Sequence, residues 1–167
     1  MDKYKELYEF SLNVYKEQIT RDNNLQEKAS KYFTALTFIL GFSVYYFKWF
    51  FEQDISKFIV MDWIIIITSF ILIFIIYLTW DKILKVLRVE NYAAIPLRDD
   101  VLDFYYDNKL IDIYYAMSKG LNNAVKINTK VHDTKSEYLS KAYNYLKIDS
   151  FLILLLLILN VIKLFIK

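Results

Sequence analysis

The sequence has no cysteine. Disulfides, thiolate metal sites and a cysteine nucleophile are excluded with it. One histidine, His132, excludes a multi-histidine metal site within a single chain. Two glycines are too few for a glycine-rich phosphate cradle, and with the one proline, Pro96, they leave little material for tight turns. A few long helices are expected instead. No GxSxG, P-loop or HExxH pattern and no nucleophile with a base can be found, so no catalytic residue, bound cofactor or enzymatic activity is expected. The net charge of +2 gives no reason to expect a nucleic-acid partner. Residues 1–31 are polar and charged and lack an apolar run before a small-residue cleavage site, so they do not read as a secretory signal peptide.

What is present is apolar and segregated. Hydrophobic residues make up 56% of the chain and charged residues 24%, and the charges stay out of the apolar runs. That division predicts a membrane part and an aqueous part in one polypeptide. Residues 62–80 carry the clearest signal. Between Trp63 and Trp80 the only ionisable group is Tyr77, and there is no Gly or Pro. At about 1.5 Å per residue such a helix covers most of a ~30 Å hydrocarbon core. Trp63 at one end and Tyr77 with Trp80 at the other suit the two water–lipid interfaces. A span over residues 58–78 is expected.

Upstream, Tyr4, Tyr8, Leu12, Tyr15 and Ile19 recur at helical spacing and predict an amphipathic helix over residues 3–30. With Lys31 just after it, its six Lys and Arg residues suit either a solvated helix packed on its own protein or one lying on an anionic leaflet. Asp22-Asn23-Asn24 reads as a break. A shorter apolar run, 32–47, lies between Lys31 and Lys48 and predicts another span. Thr34, Thr37, Gly41 and Ser43 give it a small-residue side suited to close helix contact. Residues 52–57 form an external turn, so the two spans pack antiparallel. After the second span the helix is expected to end near Ile95, before Pro96. Asp99 or Asp100 then caps a new helix, which Asp107-Asn108 interrupts.

From residue 110 a heptad-like stripe follows: Tyr114, Met117, Leu121, Ala124, Asn128, Val131, Lys135, Tyr138, Ala142 and Tyr145. Asn128 and Lys135 interrupt it as polar residues do where a coiled coil needs one register. Residues 149–166 form a third apolar run without a break, so one helix of roughly 85 Å is expected over 110–166. The positive-inside rule puts the N-terminus and the stalk in the cytoplasm and the C-terminus outside. The expected fold is an all-α integral membrane protein with three transmembrane helices and a cytoplasmic helical stalk. Its parts are a cytoplasmic amphipathic helix (1–31), a transmembrane hairpin (32–79), a cytoplasmic helical region (80–148) and the third transmembrane helix (149–167).

The residues of interest are polar groups in apolar settings. Asp62 lies within one turn of the outer end of its span. It reads either as an interfacial acid paired with Lys48 or Lys57, or as part of an ion-attracting ring at a pore mouth. Asn160 calls for a hydrogen bond inside the membrane, either to a second copy or to Thr68, Ser69 or Ser43 of its own chain. Asn160, Asn128, Asp62, Gly41 and Lys135 are the candidates for oligomerisation or a pore. His132 beside Asp133 reads as a solvated histidine, and Asp99-Asp100-Asp103 as helix-start charge. No metal site is expected.

Residues 27–33 (Glu27-Lys28-Ala29-Ser30-Lys31-Tyr32-Phe33), leading into Leu36 and Ile39-Leu40-Gly41, carry a resemblance. So does the later run of Asn122-Asn123, Asn128, Lys135, Tyr138-Leu139 and Ala142 before the last span. Together the chain resembles the small SLATT-like and nucleotide-signalling membrane effectors of bacterial anti-phage defence. The resemblance implies a homo-oligomer in the bacterial inner membrane that perturbs or permeabilises the lipid bilayer and halts an infected cell. The chain departs from the signalling effectors in having no extra ligand-binding domain, which points to a cytosolic protein partner as the trigger. The alternative is a non-enzymatic anchor or scaffold that recruits such a partner to its stalk.

Overall fold

The computed structural model describes residues 2–52, 58–88, 92–94 and 99–166. Among them are four helices and no strand: α1 (Asp2–Phe51), α2 (Val60–Leu87), α3 (Asp99–Asp107) and α4 (Leu110–Ile166). The fold is all-α. The expected continuous helix from residue 110 is there as α4, 57 residues long.

α1 does not break at Asp22-Asn23-Asn24. Asp22 is buried and accepts a hydrogen bond from Gln26 Nε2 one turn on (2.6 Å), while Asn23 and Asn24 face outward. The amphipathic arm and the 32–47 run are therefore one 50-residue helix. Ser11, Thr20, Thr34, Thr37 and Ser43 donate their hydroxyls to the carbonyl four residues back, so they are satisfied without leaving the helix.

α2 starts on a reciprocal cap. Asp62 Oδ2 accepts from the Ile59 N–H, and the Asp62 N–H donates to the Ile59 carbonyl, both at 2.9 Å. It ends at Leu87, earlier than the expected 95. Ala93 has both its N–H and its C=O bonded to the Asn128 side chain, which takes it out of a helical ladder. The Ile95–Pro96 break and the 53–57 part of the turn lie outside the described residues. α3 starts at Asp99, and Asn108 closes its other end by donating to the Phe104 carbonyl (2.9 Å).

The chain forms two compact units. Unit 1 comprises Met1–Gln26 and Arg88–Ser136; unit 2 comprises Glu27–Leu87 and Glu137–Lys167. In unit 1, α1 and α4 lie side by side in the same direction: Tyr4 meets Tyr115 at 6.5 Å, Tyr8 meets Tyr114 at 5.6 Å, and Gln18 Nε2 donates to Thr129 Oγ1 at 2.6 Å. In unit 2, α1 again runs parallel to α4, with Tyr32 on Tyr143 and Tyr46 bonded to Asn160. α2 runs against α1, with Phe33 on Trp80 and Phe47 on Phe70.

Burial follows a seven-residue period. On α2 it falls on Asp62, Ser69, Ile76 and Ile83 and on Ile65, Leu72, Thr79 and Val86. In unit 2, α1 buries Ala29, Leu36, Ser43 and Phe50, and α4 buries Ala142, Asp149, Leu156 and Lys163. In unit 1, α4 buries Leu121, Asn128 and Lys135, and α1 buries Asp22. These are the spacings of a coiled-coil seam. The stripe read from the sequence is real, and the helices filling it belong to the same chain.

α2 and α4 are long and apolar enough to cross a membrane; α1, which holds the 32–47 run, is not one of these two. Only 39% of the most apolar stretch of α2 and 11% of that of α4 is buried, so these helices are not wrapped as a soluble core would wrap them. Phe42, Ile67, Phe70, Phe74 and Leu154 point outward. Ser43, Asp62, Ser69, Thr79, Asp149 and Lys163 point inward. Along its apolar runs unit 2 inverts the usual arrangement, in which charged residues stay at the surface, while Glu27, Lys31, Glu137 and Lys141 beyond those runs are exposed.

Candidate functional site

The polar groups of the two seams form two separate clusters. In unit 1, Lys135 Nζ lies 3.4 Å from Asp22 Oδ1, with both side chains almost fully buried. The same Oδ1 accepts from the Tyr92 hydroxyl, and Lys135 Nζ sits 5.1 Å from the centre of the Tyr92 ring. Asn128 holds the neighbouring residue: its Oδ1 accepts from the Ala93 N–H (2.8 Å), and its Nδ2 donates to the Ala93 carbonyl (3.0 Å). Three seam groups, Asp22, Asn128 and Lys135, thus pin residues 92–93 against α1 and α4. Burying an ion pair gives stability only when remaining donors and acceptors are met. Tyr92 and Gln26 meet them for Asp22.

In unit 2 the end of the seam where α2 begins holds a second ion pair. Lys163 Nζ is 2.5 Å from Asp62 Oδ1, and it lies 5.3 Å from the centre of the Phe50 ring. Asp62 is only 2% exposed, and its other oxygen caps α2. One turn inward, the Tyr46 hydroxyl donates to Asn160 Oδ1 (3.0 Å), and Asn160 Nδ2 donates to the Leu156 carbonyl (2.7 Å). Below this pair is a cavity of about 40 Å³ lined by Ser43, Tyr46, Ser69 and Asn160 among apolar side chains that include Phe47 and Leu72. Toward the other end, Thr79 Oγ1 donates to Asp149 Oδ2 (3.0 Å). Asp149 is 0% exposed.

These positions revise the residue roles drawn from the sequence. Asp62 is not an acid in interfacial water: it is buried against Lys163, not Lys48, and Lys57 lies outside the described residues. Asn160 bonds Tyr46, not Thr68, Ser69 or Ser43. Asn128 bonds the backbone of its own chain, and Lys135 bonds Asp22, so neither needs a second copy to satisfy it. The reason is the parallel packing of α1 on α4, which supplies the seam partner from within the chain. Gly41 faces open space, with nothing within 4 Å of where a Cβ would stand, while Ser43 two residues on is buried. His132 is half-buried, with Nδ1 3.8 Å from Asp133 Oδ1.

Asp22, Tyr46, Ser69, Tyr92, Asp149 and Lys163 were not singled out from the sequence as site residues. A signal existed for two of them: counting by sevens from Asn128 through Lys135 and Ala142 reaches Asp149, Leu156 and Lys163. Outside the seams, charges pair along helix surfaces. Lys82 and Lys85 hold the Asp81 carboxyl below its usual value through hydrogen bonds, and Asp81 raises Lys85 in return. Lys141 likewise lowers Glu137. Among the described residues no group of three or more His, Asp or Glu side chains could hold a metal ion.

No protein-family model, curated protein or solved structure matches this chain. What it does must be argued from the seams themselves.

Proposed function

We propose that the chain is a membrane effector of the bacterial inner membrane: unit 2 sits in the bilayer, and unit 1 stands in the cytoplasm, where a protein partner triggers it. On that signal the protein oligomerises and perturbs or permeabilises the membrane, as an anti-phage defence would require. One observation carries this reading, the inversion of unit 2. Along its apolar runs the outward surface is Phe, Ile and Leu while Asp62, Asp149 and Lys163 are inside, and its exposed charges, such as Glu27, Lys31, Glu137 and Lys141, lie outside those runs. Ionisable residues within a membrane segment are expensive and are kept for function. Residues 32–47 run alongside α2, from Phe33 on Trp80 to Phe47 on Phe70, so a bilayer that takes α2 takes them as well. The proposal is therefore three crossings, with the N-terminus in and the C-terminus out.

The seams bear on how the protein assembles. Because Asn128, Lys135, Asn160 and Asp62 are engaged within the chain, self-association uses the outward faces, including the side of α1 that bears Thr34, Thr37 and Gly41. Activated protein should collapse the membrane potential in cells, read with a potential-sensitive dye. Normal potential with an activated partner present would overturn the effector reading. It would favour the anchor or scaffold, for which the pinning of residues 92–93 in unit 1 already offers a fixed docking frame. Reporter fusions at Met1 and Lys167 test the topology. Both ends on one side would mean that one apolar run does not cross.

A further inference from the structure

Ser69 is 2% exposed, and its hydroxyl has no hydrogen-bond partner among the described residues. It lines the cavity of about 40 Å³, together with Ser43, Tyr46 and Asn160. A water needs roughly 10–15 Å³ of such space and two or more polar partners. The cavity has the volume of about three waters. Six of its ten lining residues are apolar, and the polar ones, which come from three helices, can accept from water while the Ser69 hydroxyl can also donate. The Asp62–Lys163 ion pair lies seven residues from Ser69 on α2 and three from Asn160 on α4, on the outer side of the cavity.

On the other side the seam turns apolar and then polar again. Leu72 and Ile76 are the next buried residues of α2, and Leu156 is the buried residue of α4 between Asn160 and Asp149. Beyond them Thr79 donates to Asp149. Ser69 and Thr79 are ten residues apart, about 15 Å along a helix. The second oxygen of Asp149, Oδ1, is buried without a hydrogen-bond partner among the described residues. A buried carboxyl with one hydroxyl donor and one free oxygen is a proton-binding group. A short apolar layer between two polar compartments closes a path by excluding water.

We propose that the seam of unit 2 is a gated proton path. Water in the Ser43–Ser69 cavity takes protons from the outer side past the Asp62–Lys163 pair, and Asp149 accepts them at the inner end. The Leu72–Ile76 layer keeps the two apart at rest. The Asp149 carboxylate gains a proton from the water chain and releases it to water on the cytoplasmic side; no other bond changes. The inference rests on the permeabilisation reading and names the permeant and its route.

The test uses the purified full chain in vesicles with a trapped pH-sensitive dye and a potassium diffusion potential set by valinomycin. Leu72→Ser and Ile76→Ser wet the layer, and each should raise proton uptake about tenfold over the wild type. Adding Asp149→Asn to either should return uptake to within about twofold of the wild type. Trapped calcein should stay inside throughout. Folded serine variants that are as tight as the wild type overturn the path, as does uptake that survives Asp149→Asn. Calcein release at the rate of proton uptake overturns it in favour of an unselective pore and leaves the permeabilisation reading standing. Depolarisation in cells with tight serine variants in vesicles does the same. Should the serine variants misfold, the absence of native cysteine allows a near-isosteric probe. Ser69→Cys should react with silver ions at least about tenfold faster than Ile76→Cys, because only the first side chain meets water. Equal rates overturn the proposal.

Discussion

Each unit buries one lysine–aspartate pair at a seam position, yet the two pairs are built differently. Asp22–Lys135 in unit 1 is held by a carboxylate that also takes the Tyr92 hydroxyl and the Gln26 amide. Asp62–Lys163 in unit 2 is shorter, 2.5 Å against 3.4 Å, and is supported by a helix cap and the face of Phe50. The surroundings differ more than the pairs. With unit 1 in the cytoplasm, as proposed, water can solvate a charge when its seam loosens. With the apolar runs of unit 2 in the bilayer, as proposed, a charge released among them has nowhere to go. The apolar residues of unit 1, such as Leu121 and Ala124, are also held by the hydrophobic effect. In a membrane that term disappears between helices, and packing and polar contacts carry the assembly. Unit 2 should therefore depend on its few polar contacts more heavily than unit 1 does.

The largest expected effect tests that dependence. Lys163→Met removes the cation 2.5 Å from the buried Asp62 carboxylate and should destabilise the protein by about 3–5 kcal/mol, measured by thermal unfolding in detergent. Pairing it with Asp62→Asn should recover most of the loss. Lys135→Met should cost less, about 1.5–3 kcal/mol, since Asp22 keeps two donors. Equal losses would break the comparison between the units.

Next is Asn128→Ala, which removes two hydrogen bonds from Ala93. We expect a loss of about 1–3 kcal/mol and much faster hydrogen exchange at the Ala93 amide. Unchanged exchange would mean that residues 92–93 are held without Asn128. Asn160→Leu is smaller again, about 0.6–2 kcal/mol, because one hydrogen bond to Tyr46 is lost. Its crosslinking pattern in native membranes should match the wild type, since Asn160 is engaged within the chain. A weakened oligomer would return Asn160 to a role between copies.

The smallest effect belongs to the exposed pair Glu137–Lys141. Lys141 holds the folded Glu137 below the ordinary 4.5, so its contribution is present above pH 4.5 and fades as pH falls through the depressed value. Glu137→Gln should leave helix content unchanged at neutral pH and flatten only the acid limb of a circular-dichroism titration. A difference at pH 7 would mean that the pair does more than solvated surface pairs do.

Much of the fold was legible because its signals are local. The run between Trp63 and Trp80, the stripe from Tyr114 to Tyr145 and the helix change at Asp107-Asn108 all depend on residues close in sequence. The partners were not legible, because they depend on which helix faces which. Asp22 next to Asn23-Asn24 has the composition of a turn. Only Lys135, 113 residues away, makes it a buried seam residue. Lys163 looks like the polar end of a span until Asp62 is placed opposite it. The same gap misdirected the reading of Asn128 and Asn160: a polar residue in an apolar stripe demands a partner, but the stripe does not say whose.

The strict sevenfold spacing also sets where this chain can change length. One residue inserted in α4 between Lys135 and Asp149 would turn everything after it by about 100°. Asp149 and Lys163 would then face outward, and Ile148 and Ile162 would take their places. Deletions would do the same in the opposite sense. Among relatives of this chain, length differences should gather at the α1–α2 and α2–α3 connections and be absent from α4. Even seven inserted residues, which keep the buried face, would carry Asp149 and Lys163 about 10 Å along the helix, away from Thr79 and Asp62.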